Sequence, residues 1–256
     1  MHAHTEARPQ TFNRILNALT RSEFESLSPH LDPVNLSSGE ILYRPEQPVT
    51  HVYFPNRGTV SLVSSFEDGD TVEVGMVGNE GMFGVCVFLG SITTPLLAQV
   101  QLPGDGLRMR ADVLKREFKK GGQFQDLLLR YTQAFITQIA QTAGCNRAHH
   151  VEGRLAKWLL MCEDRAQSKE LRLTHEFIAT MLGIRRPGIT ETASQLKAKG
   201  LITYTRGNVT IVDRAGLEAV SCECYAQVKK EFTRLLGADS HSRQGEVEYR
   251  GLAPTV

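Results

Sequence analysis

The chain reads as an α+β protein in three parts: a β-rich front, one long helix, and a helix-turn-helix followed by a two-stranded wing. Three observations carry this. Short β-rich runs separated by glycine turns fill residues 34–109. After Ala111 the apolar period becomes helical, and at Thr174–Lys197 two short helical stretches meet at a glycine with strand, turn and strand directly behind them. A chain of 256 residues, 41% hydrophobic and 22% charged, has the composition of a globular protein and room for one large domain or two modest ones.

Residues 1–11 read as a loose polar arm with no apolar stretch behind it, which argues against secretion. Phe12–Leu31 has helical spacing at Ile15, Leu16, Leu19, Phe24 and Leu27, broken near Pro29. The strand runs that follow include Ile41–Tyr43, His51–Phe54, Thr59–Val63, Thr71–Val74, Ala98–Leu102 and Leu107–Met109. Turn chemistry separates them at Ser38-Gly39, Asn56-Arg57-Gly58, Asp68-Gly69, Gly78–Gly81 and Pro103–Gly106, where glycine supplies positive φ. Strands at this spacing indicate an antiparallel sandwich or barrel.

A long helix is expected over Gln123–Ala143, with the stripe Phe124, Leu128, Tyr131, Phe135 and Ile139, widened by Leu127, Ala134 and Ile136. Two readings stand: a core helix lying on its own barrel, or a helix pairing with its twin as in a coiled-coil seam. Gly144-Cys145-Asn146 is expected to break it. A second helix follows over His150–Arg165, Ala166–Glu170 reads as a loop, and residues 237–256 read as a flexible polar tail.

At the back, Thr174 is an N-cap, Ile178, Met181 and Leu182 share one face, Gly183 turns the chain and Ile184 plugs the corner. A second helix starts at Arg186-Pro187, where the missing proline N–H costs nothing. Its inner face carries Ile189, Ala193 and Leu196. Its outer face offers Arg185, Arg186, Thr190, Glu191 and Ser194. The wing is Lys199–Tyr204, a turn at Thr205–Asn208 that includes Arg206, and Val209–Val212. Such a unit enters a DNA major groove, where arginine forks to guanine or grips phosphate. Charge agrees in sign. Residues 1–146 hold 12 basic against 15 acidic residues, a net of −3, while residues 147–236 hold 15 against 10, a net of +5.

Over about Leu16–Leu217 the chain resembles the Crp/Fnr family of bacterial transcription regulators. The motifs that carry this are Val151-Glu152-Gly153-Arg154-Leu155-Ala156, Leu173-Thr174, Met181–Thr190 and Gly200-Leu201-Ile202. The resemblance implies a cyclic-nucleotide-binding-like β-roll (12–122), a dimerisation helix with hinge (123–146) and a winged helix-turn-helix (147–236). It implies a cytoplasmic homodimer on double-stranded DNA, with no membrane and with RNA polymerase as a partner where the protein activates. The dimer interface would be Phe124, Leu128, Tyr131, Phe135 and Ile139. DNA contacts would fall on Thr174, Arg185, Arg186, Pro187, Gly188, Thr190, Glu191, Ser194 and Arg206. The family's main base-reading arginine falls on Arg186, its acidic reader on Pro187 and its second arginine on Glu191, so its best-known target does not carry over.

The nucleotide-phosphate cassette aligns with Phe83–Gln101. Its glutamate falls on Val85, its arginine on Pro95 and its serine on Leu96. Losing the charge partner of a buried phosphate costs several kcal/mol, so cyclic nucleotide binding in the usual mode is not expected. Phe83, Val85, Phe88, Pro95, Leu96 and Leu97 line either an apolar ligand pocket or a filled core; the filled core needs no special purpose. Five scattered cysteines suit a reducing compartment. Cys222 and Cys224, one residue apart, and His149-His150 without a third ligand nearby make no metal site on spacing alone, and no cofactor or catalytic motif is found. The competing reading is a β-roll ligand-sensing or protein-interaction module that does not bind DNA.

Overall fold

The computed structural model describes residues 11–237. The expected arm at residues 1–10 and the tail from residue 238 lie outside the described residues. Thr11, expected in the arm, is buried, and its hydroxyl donates to Asn56 Oδ1 at 2.9 Å. Asn13 caps helix α1 (Arg14–Asn17) and donates its amide to the carbonyls of Pro55 and Gly81, which pins that helix to the barrel. Helix α2 (Arg21–Leu27) follows, capped by Thr20.

The β-roll is built from β1 (Asp32–Leu36), β2 (Ile41–Tyr43), β3 (His51–Ser65), β4 (Thr71–Val77) and β5 (Leu97–Arg110), with the short helix α3 (Cys86–Leu89) between the last two. The antiparallel order is β1-β5-β3-β4, with β2 also on β5. Two expected turns are not turns. Asn56-Arg57-Gly58 and Pro103–Gly106 lie inside the long strands β3 and β5, opposite each other, where the register slips between Pro55 and Val60. Gly58 takes φ 89°, and a Cβ on Gly104 would stand 2.0 Å from the Arg57 carbonyl oxygen. The glycines permit a bulge and a close backbone approach, which call for the same residue as a tight turn.

Helix α4 (Ala111–Lys119) leads into α5 (Gly122–Ala148). Helix α5 runs straight through Gly144-Cys145-Asn146, and the chain leaves the helix only at His149 (φ −109°, ψ 147°). Helix α6 (Val151–Ala166), β6 (Glu170–Arg172), α7 (His175–Leu182), α8 (Arg186–Ala198), β7 (Ile202–Thr205), β8 (Asn208–Ile211), α9 (Arg214–Val220) and α10 (Cys224–Leu236) complete the chain. The segment read as a loop at Ala166–Glu170 yields β6 at its end, which pairs with β8 and makes the wing three-stranded, in the order β6-β8-β7.

Two cores result. The first fills the roll and takes in Phe124, Leu128, Tyr131 and Phe135 of α5, together with Val228 and Phe232 of α10. The stripe expected at a dimer interface is therefore internal: these four α5 residues are at most 4% exposed and Ile139 is half-buried. Tyr131 donates its hydroxyl to Met82 O at 2.9 Å and packs near Phe232, with ring centroids 6.3 Å apart. Helical period identifies a buried face without saying what covers it; here the roll and α10 do.

The second core belongs to the back half but incorporates Val63, Met76 and Leu102 from the roll. Helix α6 lies on that outer sheet surface, and polar groups cross the join. Trp158 Nε1 donates to Glu73 Oε1 at 3.0 Å, Gln101 Nε2 to Cys162 Sγ at 3.0 Å, and Arg165 Nε to Glu80 Oε1 at 2.7 Å, while Arg165 also reaches Gln138 Oε1 at 2.8 Å. Among the described residues no helix is long and apolar enough to cross a membrane.

Candidate DNA-reading surface

Thr174 Oγ1 accepts from Phe177 N at 3.1 Å and starts α7. Gly183 ends it in the left-handed region at φ 61°, its N–H reaching back to Thr180 O. Ile184, half-buried, packs on the second core. Arg185 is the N-cap residue of α8, and Pro187 sits in its first turn. Buried Ile189, Ala193 and Leu196 fix the helix on α6 and α7, which leaves Arg185, Arg186, Pro187, Thr190, Glu191 and Ser194 exposed on one outer face, with Gly188 half-buried.

Arg186 lies 3.6 Å from Glu176 with both side chains about 70% exposed. Such surface pairs hold about 0–1 kcal/mol, so the guanidinium can leave Glu176 for DNA at little cost. Thr190 is less free than the sequence suggests. Its hydroxyl donates to Arg186 O at 3.1 Å and lies 3.0 Å from His175 Nδ1. With that hydrogen spent, His175 Nδ1–H is the donor of the second contact, and the methyl of Thr190 is what the helix presents. Ser194 Oγ donates to Thr190 O at 2.8 Å.

His175, unmarked in the sequence, ties three elements together. From the first turn of α7 it bonds to α8 through Thr190 and stacks on Tyr204 of β7, centroids 4.0 Å apart. Its pKa is lowered by burial and by the neighbouring Arg186. The spacing signal for this role was a lone polar residue after an N-cap, which says nothing about a wing 29 residues on. At the wing tip Arg206 (φ 48°) and Gly207 (φ 83°) make a two-residue hairpin between Thr205 and Asn208. An arginine held at positive φ is strained by about 1 kcal/mol or more, a cost found at functional positions.

The remaining sequence candidates are elsewhere. Phe83 and Phe88 are buried in the first core, with Val85 and Leu96 half-buried against it. Leu97 leans on the second core and Pro95 is exposed. The six therefore do not converge on one cavity wall. Cys222, Cys224 and His149, unassigned from spacing, come together with Cys145; His150 stays exposed outside the group.

Residues 153–220 match the description Crp-like helix-turn-helix domain, and residues 33–120 match Cyclic nucleotide-binding domain. The chain thus carries a Crp-like helix-turn-helix domain behind a cyclic nucleotide-binding domain. It is a DNA-binding transcription regulator. Among curated relatives, the Global nitrogen regulator of Nostoc sp. is 24% identical over 179 residues, covering 66% of this chain and 80% of that protein. The one from Synechocystis sp. is 26% identical over 182 residues, with the same coverage of each chain. Among solved structures, FixK2 from Bradyrhizobium japonicum superposes with a TM-score of 0.64 at 17% identity, covering 75% of this chain and 98% of that one. A CRP-family transcriptional regulator from Thermus thermophilus gives 0.61 at 18%, covering 73% and 96%. At these identities the two structures establish the shared fold.

Proposed function

We propose that this chain is a Crp/Fnr regulator that binds a two-fold-related operator as a homodimer, with Arg186 as the principal base reader of each half-site. The observation that supports this most is the outer face of α8, where Arg186 stands exposed beside a weak surface partner, flanked by Arg185, Glu191 and Ser194. Thr174, Gly188 and Arg206 frame that face as backbone-phosphate contacts. Glu191 would accept from a cytosine N4. In a gel-shift or footprinting series, Arg186→Ala should weaken specific binding by about 1–3 kcal/mol and relax preference at one base pair of each half-site. Equal protection of the same DNA by this variant would remove Arg186 from the role.

The dimer seam belongs on the side of α5 that the roll and α10 leave exposed; of the three residues that widened the expected stripe, Leu127 and Ala134 are buried and Ile136 lies on this exposed side. Leu129 and Ile136 are 46% and 55% exposed, and with exposed Gln133, Ala140 and Ala143 they repeat at alternating intervals of four and three. That is the spacing of a coiled-coil seam. The two-fold it generates supports symmetric half-sites about one helical turn, roughly 34 Å, apart. We read residues 12–122 as the sensor, α5 as the dimer helix and residues 147–236 as the DNA reader, with RNA polymerase as a further partner wherever the protein activates.

The sensor does not use the cyclic-nucleotide phosphate cassette. With Val85 as the N-cap residue of α3, Pro95 exposed and Leu96 half-buried against the core, no cation stands at the positions where that chemistry needs one. Isothermal titration with cyclic AMP and cyclic GMP should show no heat above dilution; saturable binding would overturn this reading.

A further inference from the structure

We propose that Cys145, His149, Cys222 and Cys224 form a structural zinc site that locks the end of α5 to the start of α10. One ligand atom from each lies within 4.8 Å of every other. Cys145 Sγ and Cys222 Sγ are 3.5 Å apart, and Cys224 Sγ is 3.6 Å from His149 Nδ1. A tetrahedral zinc with bonds of about 2.3 Å to sulfur and about 2.1 Å to nitrogen has ligand–ligand edges of about 3.6–3.8 Å. The four groups thus stand near the corners of such a site before any ion is added. All three cysteines are buried, between 2% and 8% exposed, and form a cluster of their own apart from the two large cores.

The surroundings are those of a ligand set. His149 Nε2 lies 3.1 Å from Glu223 Oε1, so an Nε2–H donates to the carboxylate and the Nδ1 lone pair is left facing the sulfurs. A carboxylate behind a ligating histidine is the usual orienting partner in zinc sites. Gly153 of α6 lets the loop close in: a Cβ there would stand 3.2 Å from Cys222 N, and the Cys222 N–H bonds to Gly153 O at 3.3 Å. Three thiolates on a dication leave one net negative charge. Lys157 and Arg154 lie close enough to the thiols to offset it. Binding is a proton exchange: each of three Sγ–H groups releases its proton as its sulfur bonds to zinc, and neutral His149 joins through Nδ1 without losing one.

The test uses the full chain, expressed with zinc in the medium and purified under reducing conditions. Mass spectrometry of the metals should find about one zinc per chain, and the Cys222→Ser/Cys224→Ser double variant should lose it. Chelator-stripped protein titrated with Co2+ should develop a thiolate-to-cobalt charge-transfer band typical of tetrahedral sites. Glu223→Gln should keep that band while weakening Co2+ affinity about 10–100-fold, which separates an orienting role from failure to fold. A metal-free chain that takes up no Co2+, a Cys145–Cys222 disulfide in the freshly reduced protein, iron in place of zinc, or zinc retained by the double variant would each overturn the proposal.

Discussion

Burial lifts the Glu73 carboxyl from its ordinary range to about 7, against hydrogen bonds from Ser61 and Trp158 that favour its anion. The hydrogens around it fit that value. Ser61 Oγ faces both Glu73 Oε2 and, at 2.7 Å, Gln101 Oε1, and one hydroxyl hydrogen cannot serve two acceptors. A proton on Glu73 closes the chain of bonds. Between pH 4.5 and about 7 the folded carboxyl holds a proton that the unfolded chain has released, so stability falls as pH rises through that window and the cost is complete above 7. Glu73→Gln should flatten this slope and stabilise the protein at pH 8 by up to about 3 kcal/mol relative to its effect at pH 4.5. Urea titrations at the two pH values measure it, and an unchanged slope in the variant would mean Glu73 titrates normally. Nothing in the sequence marks Glu73: it sits in an alternating strand where a glutamate reads as solvent-facing. Only the arrival of α6 from 85 residues away, bringing Trp158, turns that face inward.

At the scale of elements, α5 shows what periodicity can and cannot say. The stripe through Phe124, Leu128, Tyr131 and Phe135 is buried as its spacing predicts, but against the roll and α10 rather than a second copy. The weaker pattern of Leu129, Ile136 and small residues on the other face is what remains for a partner. Leu129→Asp or Ile136→Asp should therefore shift the protein to monomer in sedimentation with its circular dichroism intact. Phe135→Asp should cost stability in the monomer itself. If the two exposed positions tolerate aspartate as dimers, the seam is elsewhere. The turn at Gly78–Gly81 was readable from composition, but its constraint was not. A Cβ at Gly81 would fall 2.2 Å from the Tyr131 ring, which Met82 O holds by its hydroxyl. Gly81→Ala should cost about 1–3 kcal/mol in a denaturant titration. The strands, the helix-turn-helix and the wing hairpin were legible because local chemistry dictates them. Strand β6, the continuity of β3 and β5, and the cysteine–histidine group were not, because each depends on a partner distant in sequence.

Across the whole molecule, the β-roll and the winged helix-turn-helix half meet over a polar join whose centre is Arg165. Its guanidinium is 7% exposed and its partner Glu80 is 8% exposed. Arg165→Met would strand a buried carboxylate and should destabilise the chain by about 3–5 kcal/mol. Adding Glu80→Met should recover most of that loss, since apolar pairs replace buried ion pairs at little net cost. A double variant as unstable as the single one would show that the pair is not coupled. Helix α10 adds a second tie: it starts beside α9 in the winged helix-turn-helix half and ends with Val228 and Phe232 in the first core. During synthesis those two side chains leave the ribosome after the whole winged helix-turn-helix, so the front half must wait for that unit before its core is closed. A fragment cut after α5 would carry Tyr131 and its neighbours without their cover, and would be expected to collect in the insoluble fraction when expressed alone.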